Sequence, residues 1–147
     1  MADLAAFEKF VPLDHGLVTV ATTRADGSVQ ASTVNAGVLA HPITGARVVG
    51  LVAAGGARKL ANLRRDPRVT VVIRAGWQWA GVEGTAELIG PDDPTAGVDA
   101  EALRLLLRAV FAAAGGTHDD WDTYDQVMAD ERRTAVLITP TRTYGVG

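Results

Sequence analysis

Six runs of strand length, each rich in Val, Thr or Ile, follow one another so closely along this chain that most must be joined as hairpins. They cover Gly16 to Thr23, Val29 to Ala40, Ala46 to Val52, Val69 to Ile73, Trp77 to Ile89 and Thr134 to Ile138. The first connection, Arg24-Ala25-Asp26-Gly27-Ser28, carries an Asp-Gly pair that accepts positive φ, and His41-Pro42-Ile43-Thr44-Gly45 makes the next turn. Parallel neighbours would need a long crossover at every step. Here only the third connection holds a short helix, and two further helices precede the last strand. The order argues for a mainly β fold with helices, a six-stranded antiparallel Greek-key barrel. A barrel this small fills its interior with side chains, so a ligand lies outside it or in a seam between subunits, and a homodimer is expected.

The helices have readable limits. Asp3 to Phe10 forms a short one with Leu4 and Phe7 on one side and Pro12 closing it. After the loop Gly90 to Gly97, Asp99 or a neighbour caps a helix whose Leu103, Leu106, Leu107, Val110 and Phe111 form an apolar stripe, and Gly115-Gly116 stops it. Thr117 or Asp119 opens the next, which runs to about Asp130.

The segment Gly55 to Asp66, GGARKLANLRRD, has the composition of an anion site. Gly55-Gly56 can take positive φ and turn backbone N–H groups outward as a nest, and the next helix starts with unpaired N–H groups and the positive end of its dipole. Arg58 and Lys59 add full charges there. Asn62 lies within one turn of both, while Leu60 and Leu63 mark a separate apolar face. The plainer alternative is a solvated amphipathic helix with ordinary surface arginines. Five basic residues between Arg58 and Arg68 face only Asp66, in a chain of net charge −3, which suggests an anionic ligand steered to one place. The P-loop pattern fails for want of its Lys-Ser/Thr pair, and no GxGxxG occurs.

Composition removes several chemistries. The 147 residues, 48% hydrophobic and 21% charged, suit one domain spanning 1–147. With no cysteine there are no disulfides, thiolate metal sites or cysteine nucleophiles. The serines, Ser28 and Ser32, stand in no GxSxG elbow. The segment MADLAAFEKF is acidic where a signal peptide is basic, and no apolar run reaches membrane-spanning length, so a cytoplasmic protein is expected. Aromatic content of 5% is too low for interleaved base stacking, so no nucleic-acid partner is expected.

Arg58-Lys59-x-x-Asn62-Leu63-x-Arg65-Asp66-Pro67-Arg68, then a Val-rich strand, then Trp77 and Glu83-Gly84-Thr85-Ala86, resembles the FMN-binding split β-barrel superfamily. Within it the chain is similar to pyridoxamine 5′-phosphate oxidase-like, coenzyme F420-dependent oxidoreductases of the small type, over nearly its whole length, including Asp119-x-Trp121-Asp122-x-Tyr124 and Tyr144-Gly145. The resemblance implies a homodimer of six-stranded split barrels with a deazaflavin, or alternatively FMN, in a groove between subunits. It also implies hydride transfer to or from a small organic substrate. Lys59 matches the family's phosphate-contacting lysine, Asn62 the asparagine a turn later and Trp77 an aromatic position near the cofactor; Ala57 stands where some relatives carry arginine. The cofactor-binding set expected is Asn35, Val52, Ala53, Arg58, Lys59, Asn62, Trp77 and Trp79, with no catalytic residue and no metal assigned. The Arg-x-Pro segment of true pyridoxamine phosphate oxidases does not follow Pro140, so a vitamin B6 role is disfavoured. A polyglutamate tail on F420 would account for Arg64, Arg65 and Arg68.

Some candidates keep two readings. Trp77 and Trp79, placed on one face of a strand, either stack on a cofactor ring or fill a core or dimer interface. Asn35 either bonds a heterocycle edge or is an ordinary solvent-facing residue. The acids around His118 suit a helix start better than a metal, and scattered histidines make a non-catalytic haem-binding module a weak alternative.

Overall fold

A computed structural model of the chain describes residues 3–146. Met1, Ala2 and Gly147, which the 1–147 domain expectation includes, lie outside the described residues. Six strands, β1 (Leu17–Thr23), β2 (Val29–Ala40), β3 (Arg47–Ala53), β4 (Arg68–Ala75), β5 (Gln78–Ile89) and β6 (Thr134–Val146), close into an antiparallel barrel in the order β1-β2-β3-β6-β5-β4. Four helices accompany them: α1 (Ala5–Phe10), α2 (Arg58–Arg65), α3 (Ala100–Ala113) and α4 (Trp121–Asp130). α2 carries the chain from β3, between β2 and β6, to β4, between β1 and β5. That crossing allows the barrel to close.

Alternation decides what faces inward. On β1, Val18, Val20 and Thr22 are buried while Leu17 and Thr19 are exposed. Val18, Val20, Val49, Leu51, Val71, Ile73, Val82 and Ile138 meet in the interior, joined by Phe7 and Phe10 from α1 and Leu60 and Leu63 from α2. A second cluster forms outside the barrel, where Leu106, Leu107 and Val110 of α3 pack on Leu39, Val48, Ala135 and Leu137. α3 thus covers the outer face of β2 and β3. Its cap is as expected, with Asp99 accepting from Ala102 N–H at 2.8 Å.

Beyond shifts of one or two residues at strand ends, four limits differ from the sequence reading. β6 runs on to Val146, well past Ile138, because a register shift between Glu83 and Gly84 lets Pro140 enter the ladder opposite Gly84. Pro12 does not stop the first helix; it sits inside a 3₁₀ turn over Val11–Leu13 that continues it. Asp120, rather than Thr117 or Asp119, caps α4 through Thr123 N–H at 3.1 Å. Trp77 precedes β5: Ala75 pairs with Gln78, leaving Gly76 (φ 64) and Trp77 as a two-residue hairpin turn.

Candidate functional site

The start of α2 lacks the nest that Gly55-Gly56 suggested. Neither glycine has positive φ, and Gly55 N–H donates to Glu131 O at 3.0 Å. Position 55 has to be glycine for a different reason. A Cβ there would stand 2.8 Å from Arg132 Cβ and 2.9 Å from its carbonyl oxygen, so this residue lets the α4–β6 turn close against the β3–α2 loop. The helix itself begins open. Ala57 is its N-cap, in extended conformation and with no side-chain capping bond, so the first N–H groups of α2 have no side-chain acceptor.

Lys59 stands on that first turn, half-buried. Among the described residues no carboxylate lies within ion-pair distance of it. Burial lowers its proton affinity below the usual lysine value of 10.5, and the positive charge of Arg133 lowers it further. Arg133 lines a hollow of about 370 Å³ together with Thr33, Val34, Asn35, Val52, Phe111, Tyr124 and Met128. Arg133 is paired with Glu131 at 2.7 Å, so Lys59 is the partly desolvated cation left without an anionic partner, a deficit that an anion would relieve.

The expected site residues fall into separate places. Asn35 and Val52 share that hollow, and Asn35 Nδ2 donates to His15 O at 2.7 Å. Ala53 is buried in the barrel core. Arg58 points elsewhere, to a second hollow of about 380 Å³ lined by Arg24, Asp26, Asn62 and Arg65. Successive helical positions diverge by about 100°, so Arg58 and Lys59 do not form one clasp. Asn62, only 8% exposed, spends both amide hydrogens inside the protein, on Thr22 Oγ1 at 3.1 Å and Gln30 Oε1 at 2.9 Å. Trp77 is 97% exposed at its hairpin tip. Trp79 lies half-buried against Tyr144, ring centroids 6.0 Å apart, in a third hollow under α1.

The family model for pyridoxamine 5′-phosphate oxidase matches residues 4–147. The chain belongs to that family. Solved structures with the same fold as this family member include a conserved hypothetical protein from Mycobacterium tuberculosis, 24% identical over 99% of this chain and 85% of that one, with a TM-score of 0.69. A pyridoxamine 5′-phosphate oxidase-related, FMN-binding protein from Nostoc punctiforme is 12% identical, covering 99% and 84%, with a TM-score of 0.68. An F420 reductase is 15% identical, covering 93% and 94%, with a TM-score of 0.62.

In this pyridoxamine 5′-phosphate oxidase family chain, the arginines credited to an anionic tail are already engaged. Arg64 makes a two-point pair with Asp93, at 2.9 and 2.6 Å, and Arg68 pairs with Asp66 at 2.8 Å. Arg65 donates to Thr23 O and to Asn62 Oδ1. Asp93 is distant in sequence from Arg64, so counting charges between Arg58 and Arg68 missed it. Arg133 escaped the sequence reading for the same reason: nothing local to Glu131-Arg132-Arg133 indicates Lys59. Tyr124 and Phe111, 5.1 Å apart between ring centroids, were legible only as helix residues.

Proposed function

We propose that this chain binds a flavin-type cofactor, FMN first, with the phosphate at the open start of α2 and the ring over the β2–β3 face, and uses it in a redox reaction on a small organic molecule. The observation that supports this reading is Lys59: a half-buried cation without a carboxylate at an uncapped helix start, under the charge of Arg133, which lines the hollow. A phosphate fits such a donor set. Bound there, an isoalloxazine supplies two-electron transfer. The chain's own residues bind and orient it: Lys59 and the first α2 amides take the phosphate, Val52 offers an apolar floor and Asn35 a polar edge.

A second copy of the chain completes the groove in this proposal. Leu17, Thr19 and Ala21 of β1 lie beside Asn35, Thr33 and Ala31 of β2 on one outward, uncharged face that runs into the hollow. Trp79 pairs with Val146, at the far end of β6 from Thr134, and in this proposal Trp77 and Trp79 meet the cofactor from the second copy.

F420 is the second reading, favoured by the likeness in fold to an F420 reductase. The pairing of Arg64 and Arg68 with carboxylates of the same chain weighs against a long anionic tail along α2. Titration of the purified protein with FMN and with F420, followed by absorbance and fluorescence, tests the proposal. Saturable FMN binding tighter than F420 is expected; the reverse order selects the deazaflavin, and no binding of either rejects the cofactor reading.

A further inference from the structure

The α4–β6 turn is held in place from two sides. Gly55 N–H bonds Glu131 O, and the missing Cβ at Gly55 admits the Arg132 backbone. Arg132 stands at φ 50, in the left-handed region that L side chains avoid, and its guanidinium is paired with Asp92. A strained residue clamped on both sides fixes the direction of the chain beyond it. The next residue is Arg133, whose Nε and Nη2 both meet Glu131 Oε1, at 2.8 and 2.7 Å, so that only its Nη1 is free of any described side-chain bond. Arg133 shares the hollow with Asn35 and Val52 and brings its charge to bear on Lys59.

We propose that Arg133 is a ligand-binding residue, the second cation of the anion site, delivered there by the clamped turn on Gly55 and paired with Lys59 to take a dianionic phosphate monoester. The inference rests on the cofactor reading above. A phosphate monoester carries a charge of about −1.5 to −2 at neutral pH, so a lone lysine leaves it undercompensated; Arg133, turned from Glu131 or shared with it, supplies the second cation. The Nη1–Nη2 end of the arginine, away from the edge that Glu131 holds, offers two donors to phosphate oxygens in a fixed plane, which lysine lacks.

Flavin fluorescence titrations of the wild type, Arg133→Gln and Arg133→Lys with FMN and with riboflavin, which has no phosphate, test it at low salt. Arg133→Gln is expected to weaken FMN about tenfold or more, leave riboflavin unchanged and be partly rescued by Arg133→Lys. The proton affinity of Lys59, followed by NMR in the unliganded protein, rises in Arg133→Gln if the two cations face one site. A folded Arg133→Gln that binds FMN as the wild type does overturns the inference and leaves the cofactor reading standing. A wild type that binds riboflavin as tightly as FMN also overturns it, and one that binds neither overturns both.

Discussion

Lys59 and Asn62, one turn apart on α2, divide its polar work between ligand and fold. Asn62 ties α2 to β1 and β2 through Thr22 and Gln30, so Asn62→Ala leaves the buried Thr22 hydroxyl and the part-buried Gln30 amide without this partner. It is expected to cost about 1–3 kcal/mol of stability in urea unfolding. Lys59→Ala is expected to do the opposite: no loss in urea unfolding, and about 1–3 kcal/mol weaker cofactor binding, read by titration at low salt. pH separates the two states of Lys59. Its folded proton affinity lies below the unfolded 10.5, so the penalty for burying the ammonium is complete below the folded value and fades as pH rises through it toward 10.5. An anion beside it raises that affinity, so cofactor binding at alkaline pH takes up a proton. Calorimetry in buffers of different ionisation enthalpy measures the uptake, and Lys59→Ala abolishes it.

Between elements, Asp125 joins α4 to α3. Its carboxylate accepts from Arg108 Nε at 2.9 Å and Arg104 Nη1 at 2.9 Å, while Tyr124 donates to Leu107 O at 3.0 Å and Arg108 lies over the Trp121 ring at 5.1 Å. The hydrogen bonds from Arg108, with those from Arg104, hold the Asp125 carboxyl at about 2, down from 3.8. A depressed carboxylate contributes stability that is present above the unfolded value and lost as pH falls through the folded one. The α3–α4 contact is therefore expected to loosen between pH 4 and pH 2. Trp121 sits on that contact, and its fluorescence should shift over this range. In Asp125→Asn the shift is already present at neutral pH, with no acid step. Because α4 leads into the Arg133 turn, a loosened α4 also disturbs the hollow.

Over the whole molecule, a closed barrel leaves no unpaired edge through which copies could join, so association has to use a side-chain face. The outward face of β1 and β2 is the uncharged one that touches the hollow. Thr19→Glu places a charge in its middle without touching the core, since Thr19 is exposed. Sedimentation velocity is expected to give a dimer for the wild type and a monomer for Thr19→Glu, with cofactor affinity falling in parallel and the melting of the barrel core retained. A monomeric variant that binds FMN at full affinity would reject the shared groove.

The sequence by itself determined the local pieces: which runs are strands, where Asp26-Gly27 turns, that α3 is capped at or beside Asp99, and that a lysine opens a helix between two strands. Each depends on residues within a few positions of one another, and periodicity reports which side of an element is buried. Tertiary structure decided which residues meet. Arg64 is neutralised by Asp93, Gly55 serves the Arg132 turn rather than a nest, and the charge of Arg133, far along the chain, bears on Lys59. Pro140 enters a strand because the register against β5 shifts at Thr141, the extra residue of β6 opposite Glu83-Gly84, and that opposition is set by a distant segment. The physical reason is common to all of these. A side chain's own segment fixes its direction, but its partner comes from a different part of the chain, and barrel closure alone brings the two within bonding distance.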